Sequence, residues 1–164
     1  MAISLAIVRF LESLQLKAEI KWPNDIYLNG KKIAGILIEN HLRGDSFRYS
    51  VVGIGLNVNQ ESFKVAKATS VYIEARKEYN LLESLSFLLE HLRMQFARLK
   101  NGETELIWAE YHQNMYLRNK PSLYKAQDLT FVGSIKGVNE SGHLRIMTEH
   151  GERIYGLKEI AFLS

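Results

Sequence analysis

There is no cysteine in these 164 residues, so disulfide staples, thiolate nucleophiles and sulfur-ligated zinc sites are excluded. That usage suits a reducing cytoplasm. Long hydrophobic runs are missing too. The opening segment 2–16 is apolar in places, but Arg9 and Glu12 interrupt it and no small-residue cleavage site follows. It reads as neither a signal peptide nor a membrane span. A strong excess of one charge is also lacking: the formal net charge is +3, with 16 Lys/Arg against 13 Asp/Glu in residues 1–120 and 5 against 5 in residues 121–164. Nucleic-acid binders gather their cations into dense patches, whereas Lys31–Lys32, Arg43 and Arg48 are scattered. No nucleic-acid partner is expected. Internal repeats and low-complexity stretches are absent as well.

What remains is the composition of a folded protein, 46% hydrophobic and 24% charged. Ile3, Ile7, Phe10, Leu11 and Leu14 recur at helical spacing and predict an amphipathic helix over 2–15, with no capping residue before its first turn. Residues 17–22 alternate as a strand that Pro23 ends. Two further runs, 26–28 and 31–39, flank Asn29-Gly30, which predicts a hairpin on a type I′ turn. A loop at 40–46 containing Gly44 and Asp45 leads to a strand over 47–57. That strand is apolar on both sides and is expected to be central and covered. Asn80 with Glu83 starts a long helix that Asn101-Gly102 ends, and a second helix covers 103–115. From residue 118 onward five short strands separated by tight turns suggest a small β-barrel of SH3-like size. The expected division is therefore 1–117 and 118–164.

Two places could carry chemistry. In Lys21-Trp22-Pro23-Asn24-Asp25 an ammonium stands where a strand meets a cleft, suited to a phosphate or carboxylate oxygen. The same five residues also fit a snorkelling lysine followed by an ordinary turn. In Gly53-Ile54-Gly55-Leu56-Asn57 two glycines remove side chains where a ligand or another backbone comes close. Asn57 then offers an amide that both donates and accepts, as an adenine edge requires. Close strand–helix packing explains the glycines equally well.

Taken with Lys31-Lys32-Ile33-Ala34-Gly35-Ile36-Leu37 and Glu39, these blocks closely resemble the catalytic core of biotin protein ligases, in order and spacing as well as residues. A weaker resemblance continues into the tail through Gly133, Gly142, Gly151 and the segment 156–160. The resemblance implies an α/β (α+β) fold in which helices cover a mixed sheet, related to class II synthetases, followed by the small barrel. It implies that biotin and ATP, with Mg²⁺, form biotinyl-5′-AMP, and that a lysine of a biotin carrier domain then takes the biotin. It puts Lys21 against the biotin carboxylate and the phosphate. It lays biotin's valeryl chain along Gly53 and Gly55 and gives adenine to Asn57. Asn24, Asp25, Lys32, Gly35 and Glu159 are implied as supporting residues, with no protein-held metal. Lys32, Ala34 and Gly35 lie on a strand that some relatives use for edge-to-edge homodimers; a strand buried in its own sheet fits them as well.

The sequence also departs from that pattern. The family's Gly-Arg-Gly-Arg-x-Gly-Arg loop and its biotin ureido pocket lie upstream of the first helix, yet the first glycine here is Gly30 and only Arg9 precedes it among arginines. A winged helix is absent too, and no arginine follows Glu159. A pocket without one wall admits water and weakens its charge interactions. An N-terminally incomplete site is therefore expected, one that ligates little by itself. A non-catalytic binding or dimerisation module on the same scaffold, and a lipoate ligase, are the competing readings.

Overall fold

The computed structural model describes residues 1–44 and 46–163; Asp45, within the expected 40–46 loop, lies outside them. Helix α1 (Ala2–Ser13) leads to strands β1 (Ala18–Lys21), β2 (Asp25–Leu28), β3 (Lys31–Arg43) and β4 (Ser46–Leu56). Helices α2 (Val71–Ala75), α3 (Leu81–Lys100) and α4 (Thr104–Gln113) follow, and then β5 (Pro121–Ala126), β6 (Leu129–Val138), β7 (Leu144–Thr148), β8 (Gly151–Tyr155) and β9 (Ala161–Phe162). The first four strands form an antiparallel meander in the order β1-β2-β3-β4; the last five form a second antiparallel sheet in the order β8-β7-β6-β5-β9. The expected mixed sheet is thus corrected: both sheets pair antiparallel throughout their strands, because short connections join all the neighbours except β5 and β9. Parallel contacts are confined to isolated bridges such as Ile20 with Met115. Among the described residues β8 and β9 remain the two edges of the second sheet. No helix in this region of the chain, or elsewhere among the described residues, is long and apolar enough to cross a membrane.

Helix α1 forms the middle of a three-layer stack, with the first sheet on one side and α3 and α4 on the other. Its sequence predicted one apolar face; instead nearly the whole circumference is buried, from Ala2 to Val8 and again at Phe10 and Leu11. No side chain caps its first turn, a deficit worth about 1 kcal/mol. Burying a single Ile or Leu contributes roughly 1.5–3 kcal/mol, so packing decides. Arg9, Glu12 and Ser13 reach solvent on this helix's polar stripe, and Arg9 pairs with both Glu12 and Glu110. Glu110 also accepts from Arg98 at 2.7 Å. Burial pushes the Glu110 carboxyl up, but the bonds and charges of Arg98 and Arg9 more than offset this and leave it below the usual range.

Asn29 and Gly30 adopt φ of 51° and 75°, the left-handed pair that the I′ turn needs. Asn80 caps α3 through bonds from the Leu82 and Glu83 amides, as its sequence suggested. Strand β4 is different. It was expected to be central and covered on both faces, but it is the edge strand, and Val51, Gly53 and Gly55 are exposed. Val52, Ile54 and Leu56 face the helices while the intervening residues face away from them.

One hydrophobic core runs through both parts of the chain, from Leu5 and Ile20 to Ile135, Leu144 and Ile146. Polar bonds close the seam: the Trp22 indole Nε1–H donates to Gly142 O at 2.9 Å and the Val138 N–H donates to His112 Nε2 at 2.9 Å. The imidazole is therefore an acceptor, and neutral. Burial, together with the charges of Arg118 and Arg145, holds its pKa below the ordinary imidazole value. An unfolded His112 takes up its proton first, near about pH 6.5, so this contribution is complete above that pH and is lost as the pH falls through the lower folded value. The urea midpoint is expected to be lower at about pH 5.5 than at about pH 7.5, and His112→Gln should flatten that difference.

Candidate functional site

Cross-strand partners in an antiparallel sheet point to the same face. Lys21 pairs with Asp25, Asp25 with Gly35, and Gly35 with Gly55, while Leu37 pairs with Gly53. One row across four strands therefore carries Lys21, Asp25, Gly35 and Gly55 on the face opposite α1. The reverse face carries Ile20, Ile26, Ala34 and Ile36, all buried. The candidate row and the core are sorted by the two-residue period of the strands.

The glycines of this row are not demanded by the chain itself. None of Gly35, Gly53 and Gly55 has a left-handed φ. A Cβ on Gly55 would meet nothing nearer than Gly35 O at 4.0 Å, and one on Gly53 only Leu37 at 3.9 Å. Close strand–helix packing, the competing explanation, is ruled out, because both residues face away from the helices. They leave an open floor. Gly35 differs: its Cβ would press at 3.2 Å on Lys32 Cε and Nζ, so this glycine lets the Lys32 side chain lie over the strand to reach Asp25 Oδ1 at 2.6 Å.

Lys21 donates to the Tyr27 hydroxyl at 2.9 Å, and its Nζ lies 4.5 Å from the Tyr27 ring centre and 5.0 Å from that of Phe162. Tyr116 packs on Tyr27 at 5.2 Å. The trough thus has a glycine floor, two lysines and an aromatic wall at its β1 end. Neither Tyr27 nor Phe162 was singled out from sequence. Tyr27 was within reach, because period-two counting from Lys21 and Asp25 puts it on their face; Phe162 has no local signal at all.

Other expected site residues are placed less favourably. The Asn24 side chain donates to Ile36 O at 2.8 Å and the Ile36 N–H returns a bond to Asn24 O, which fastens the cis Trp22–Pro23 turn to β3. Asn57 Nδ2 donates to Thr69 O at 3.0 Å, so half of its amide is committed to the segment before α2. Glu159 accepts from the Gly156 N–H at 2.6 Å within the β8–β9 turn. Lys32, Ala34 and Gly35 lie on an interior strand with β2 on one side and β4 or Ala68 on the other, so β3 offers no free edge at these residues. A cleft between α1 and the tail is lined by Met1, Trp22, Asn24, Ile38, Gly142 and His143 among others, yet no Lys, Arg, Asp or Glu side chain. An anion has no side-chain countercharge there beyond His143, so the lysine-bearing trough is the better candidate.

Residues 1–57, which contain α1 and all of the first sheet, match the biotin/lipoate A/B protein ligase family. Over 166 aligned residues the chain is 29% identical to the bifunctional ligase/repressor BirA of Bacillus spizizenii, covering 93% of this chain and 49% of that protein. The chain belongs to the biotin protein ligase family. It is 36% identical over 133 residues to BirA of Escherichia coli, 78% of this chain and 41% of that one. The biotin protein ligase from Aquifex aeolicus in complex with biotin and ATP superposes with a TM-score of 0.77 at 25% identity, over 98% of this chain and 68% of that one. The chain spans about half the length of the BirA proteins it matches.

Proposed function

We propose that this chain carries part of the site for the ATP-dependent chemistry of a biotin–protein ligase, and ligates little by itself: biotin and ATP give biotinyl-5′-AMP and pyrophosphate, and a carrier-domain lysine amine then displaces AMP to form an amide. The observation that carries this reading is the row Lys21–Asp25–Gly35–Gly55, with a cation at its β1 end, the Asp25–Lys32 pair beside it and open glycines at its β4 end. An apolar chain can lie along Gly53 and Gly55, with its carboxylate and the phosphate at Lys21, where the ammonium holds two anions together and offsets charge developing at phosphorus. Asn57 keeps its Oδ1 for an adenine amino group, because only its Nδ2 is committed. Asn24, Asp25, Lys32 and Gly35 support the floor rather than touch the reacting atoms, and Glu159 fixes the tail turn. Mg²⁺ would enter on the triphosphate, since hard cations of this kind are commonly held by substrate phosphates.

The reading includes the division into a partial catalytic part, 1–117, and a tail, 118–164, that closes into an SH3-like barrel. It places the protein in the cytoplasm, with a biotin carboxyl carrier domain as its protein partner. An edge-to-edge homodimer could not pair at Lys32, Ala34 and Gly35, which are already flanked on both sides; β4 is an edge of the same sheet that could take that role.

A sulfamoyl analogue of biotinyl-adenylate is the direct test. Calorimetry on the 164-residue chain should give measurable though weak binding, and Lys21→Ala should weaken it roughly 100-fold, the scale expected when one member of a charge-assisted contact is removed. Mass analysis of a carrier domain incubated with the chain, biotin, ATP and Mg²⁺ then reads transfer. Carrier binding that survives Lys21→Ala, with no adenylate bound by a folded sample, would instead support a non-catalytic docking module.

A further inference from the structure

Lys21 is held in an unusual way for a cation at the end of a strand. Its cross-strand neighbour Asp25 is paired with Lys32 rather than with Lys21. Among the described residues no carboxylate forms a salt bridge with Lys21; its partners are the Tyr27 hydroxyl and the rings of Tyr27 and Phe162. Aromatic faces attract an ammonium without cancelling its charge as a carboxylate would. Three N–H donors radiate from Nζ, and one of them is used by Tyr27.

Phe162 comes from the opposite end of the chain. It stands on β9, which is fixed to β5 through the Tyr124–Phe162 and Lys125–Ala161 pairs and the bond from Leu163 N–H to Leu123 O at 3.0 Å. Its ring meets fully buried Tyr124 edge-on at 5.3 Å; Tyr124 lies 6.0 Å from Phe131, and Phe131 stacks on Tyr155 at 6.0 Å. This series of rings ties the position of Phe162 to the core of the tail. A lysine side chain, by contrast, has four rotatable bonds and loses much freedom when ordered.

We propose that Phe162 is a positioning residue for Lys21: with Tyr27 it clamps the ammonium between aromatic faces, aimed at the open trough and with its charge uncompensated. The C-terminal sheet thereby supplies part of the anion site. This rests on the ligase reading for the identity of the anion, a carboxylate and a phosphate, but the clamp itself is a matter of geometry.

The test uses the full chain with lysine labelled at the ε-carbon. Ring currents should shift the Lys21 ε-methylene signal, identified by its loss in Lys21→Arg, upfield of the other lysines. Phe162→Leu, which keeps an apolar side chain of similar bulk, should move the signal towards them, and Phe162→Tyr should leave it in place. Affinity for the sulfamoyl adenylate analogue should fall roughly three- to tenfold in Phe162→Leu and return in Phe162→Tyr, the range of an ordinary cation–π contact. A signal unmoved in Phe162→Leu overturns the clamp. A moved signal with unchanged affinity overturns the positioning role. If the wild-type chain binds no analogue, the ligase reading fails, and the signal still decides whether Phe162 holds Lys21.

Discussion

A Gly55→Val chain is expected to be at least as stable as the wild type and to lose adenylate binding by more than about 100-fold. Two effects that usually move together are separated here. Glycine within a strand costs roughly 0.5–1 kcal/mol relative to alanine, and β-branched residues fit a strand better still. At Gly55 the backbone is not left-handed and a Cβ would find only Gly35 O, at 4.0 Å. Nothing in the chain resists the larger residue. The valine methyls would instead fill the floor beside Gly35, at the β4 end of the row, where the apolar chain of the ligand is proposed to lie. Urea unfolding with calorimetry on the same sample checks both halves. Undiminished binding would move the ligand off this face of the sheet.

The second large effect runs the other way, from the seam between the two sheets. Gly137→Ala is expected to destabilise the chain by about 3–7 kcal/mol, a large fraction of the stability of an ordinary domain. Gly137 has φ of +144° beside a register shift in β6, a region nearly closed to other residues and costing about 1–3 kcal/mol where occupied. Its Cβ would also stand 2.6 Å from His112 Cδ2 and 2.7 Å from Nε2. Displacing that ring adds overpacking of about 1–3 kcal/mol and sacrifices the Val138 bond, worth about 1 kcal/mol. Chemical denaturation measures the sum. Adding His112→Ala should recover the steric share and leave the backbone strain. A variant within about 1 kcal/mol of wild type would mean that β6 can shift away from α4 at little cost.

How far the sequence revealed this site depends on how local each signal was. The Asn29-Gly30 turn and the Asn80 cap are written within a few residues, and both are present. The row Lys21–Asp25–Gly35–Gly55 follows from strand period once the hairpin register is known, so three short blocks were enough to gather it. Strand β4 was misplaced because its glycines were counted as apolar: Val52, Ile54 and Leu56 do face the core, while Gly53 and Gly55 leave the other face bare. The α1 pattern understated burial, since a period marks the most apolar stripe and says nothing of a second layer packed behind it. Asn57 was read by its chemistry alone, and the segment carrying Thr69, which claims half of its amide, has no periodic pattern. Phe162 reaches Lys21 only through the fold of the whole tail.

The continuity of the core across residues 117 and 118 bears on what can be cut from this protein. A genuinely modular tail could be removed, swapped or expressed by itself, and the remainder would keep its own interior. Here Met115, Ile135, Val138 and Leu144 belong to the same packed interior as Leu5 and Ile20, and the Trp22 and His112 bonds cross the same seam. Severing the chain there would leave two raw apolar surfaces in water and would dismantle the lysine's aromatic wall in the same stroke. The β-rich tail is half of a joint rather than an accessory hung from the end.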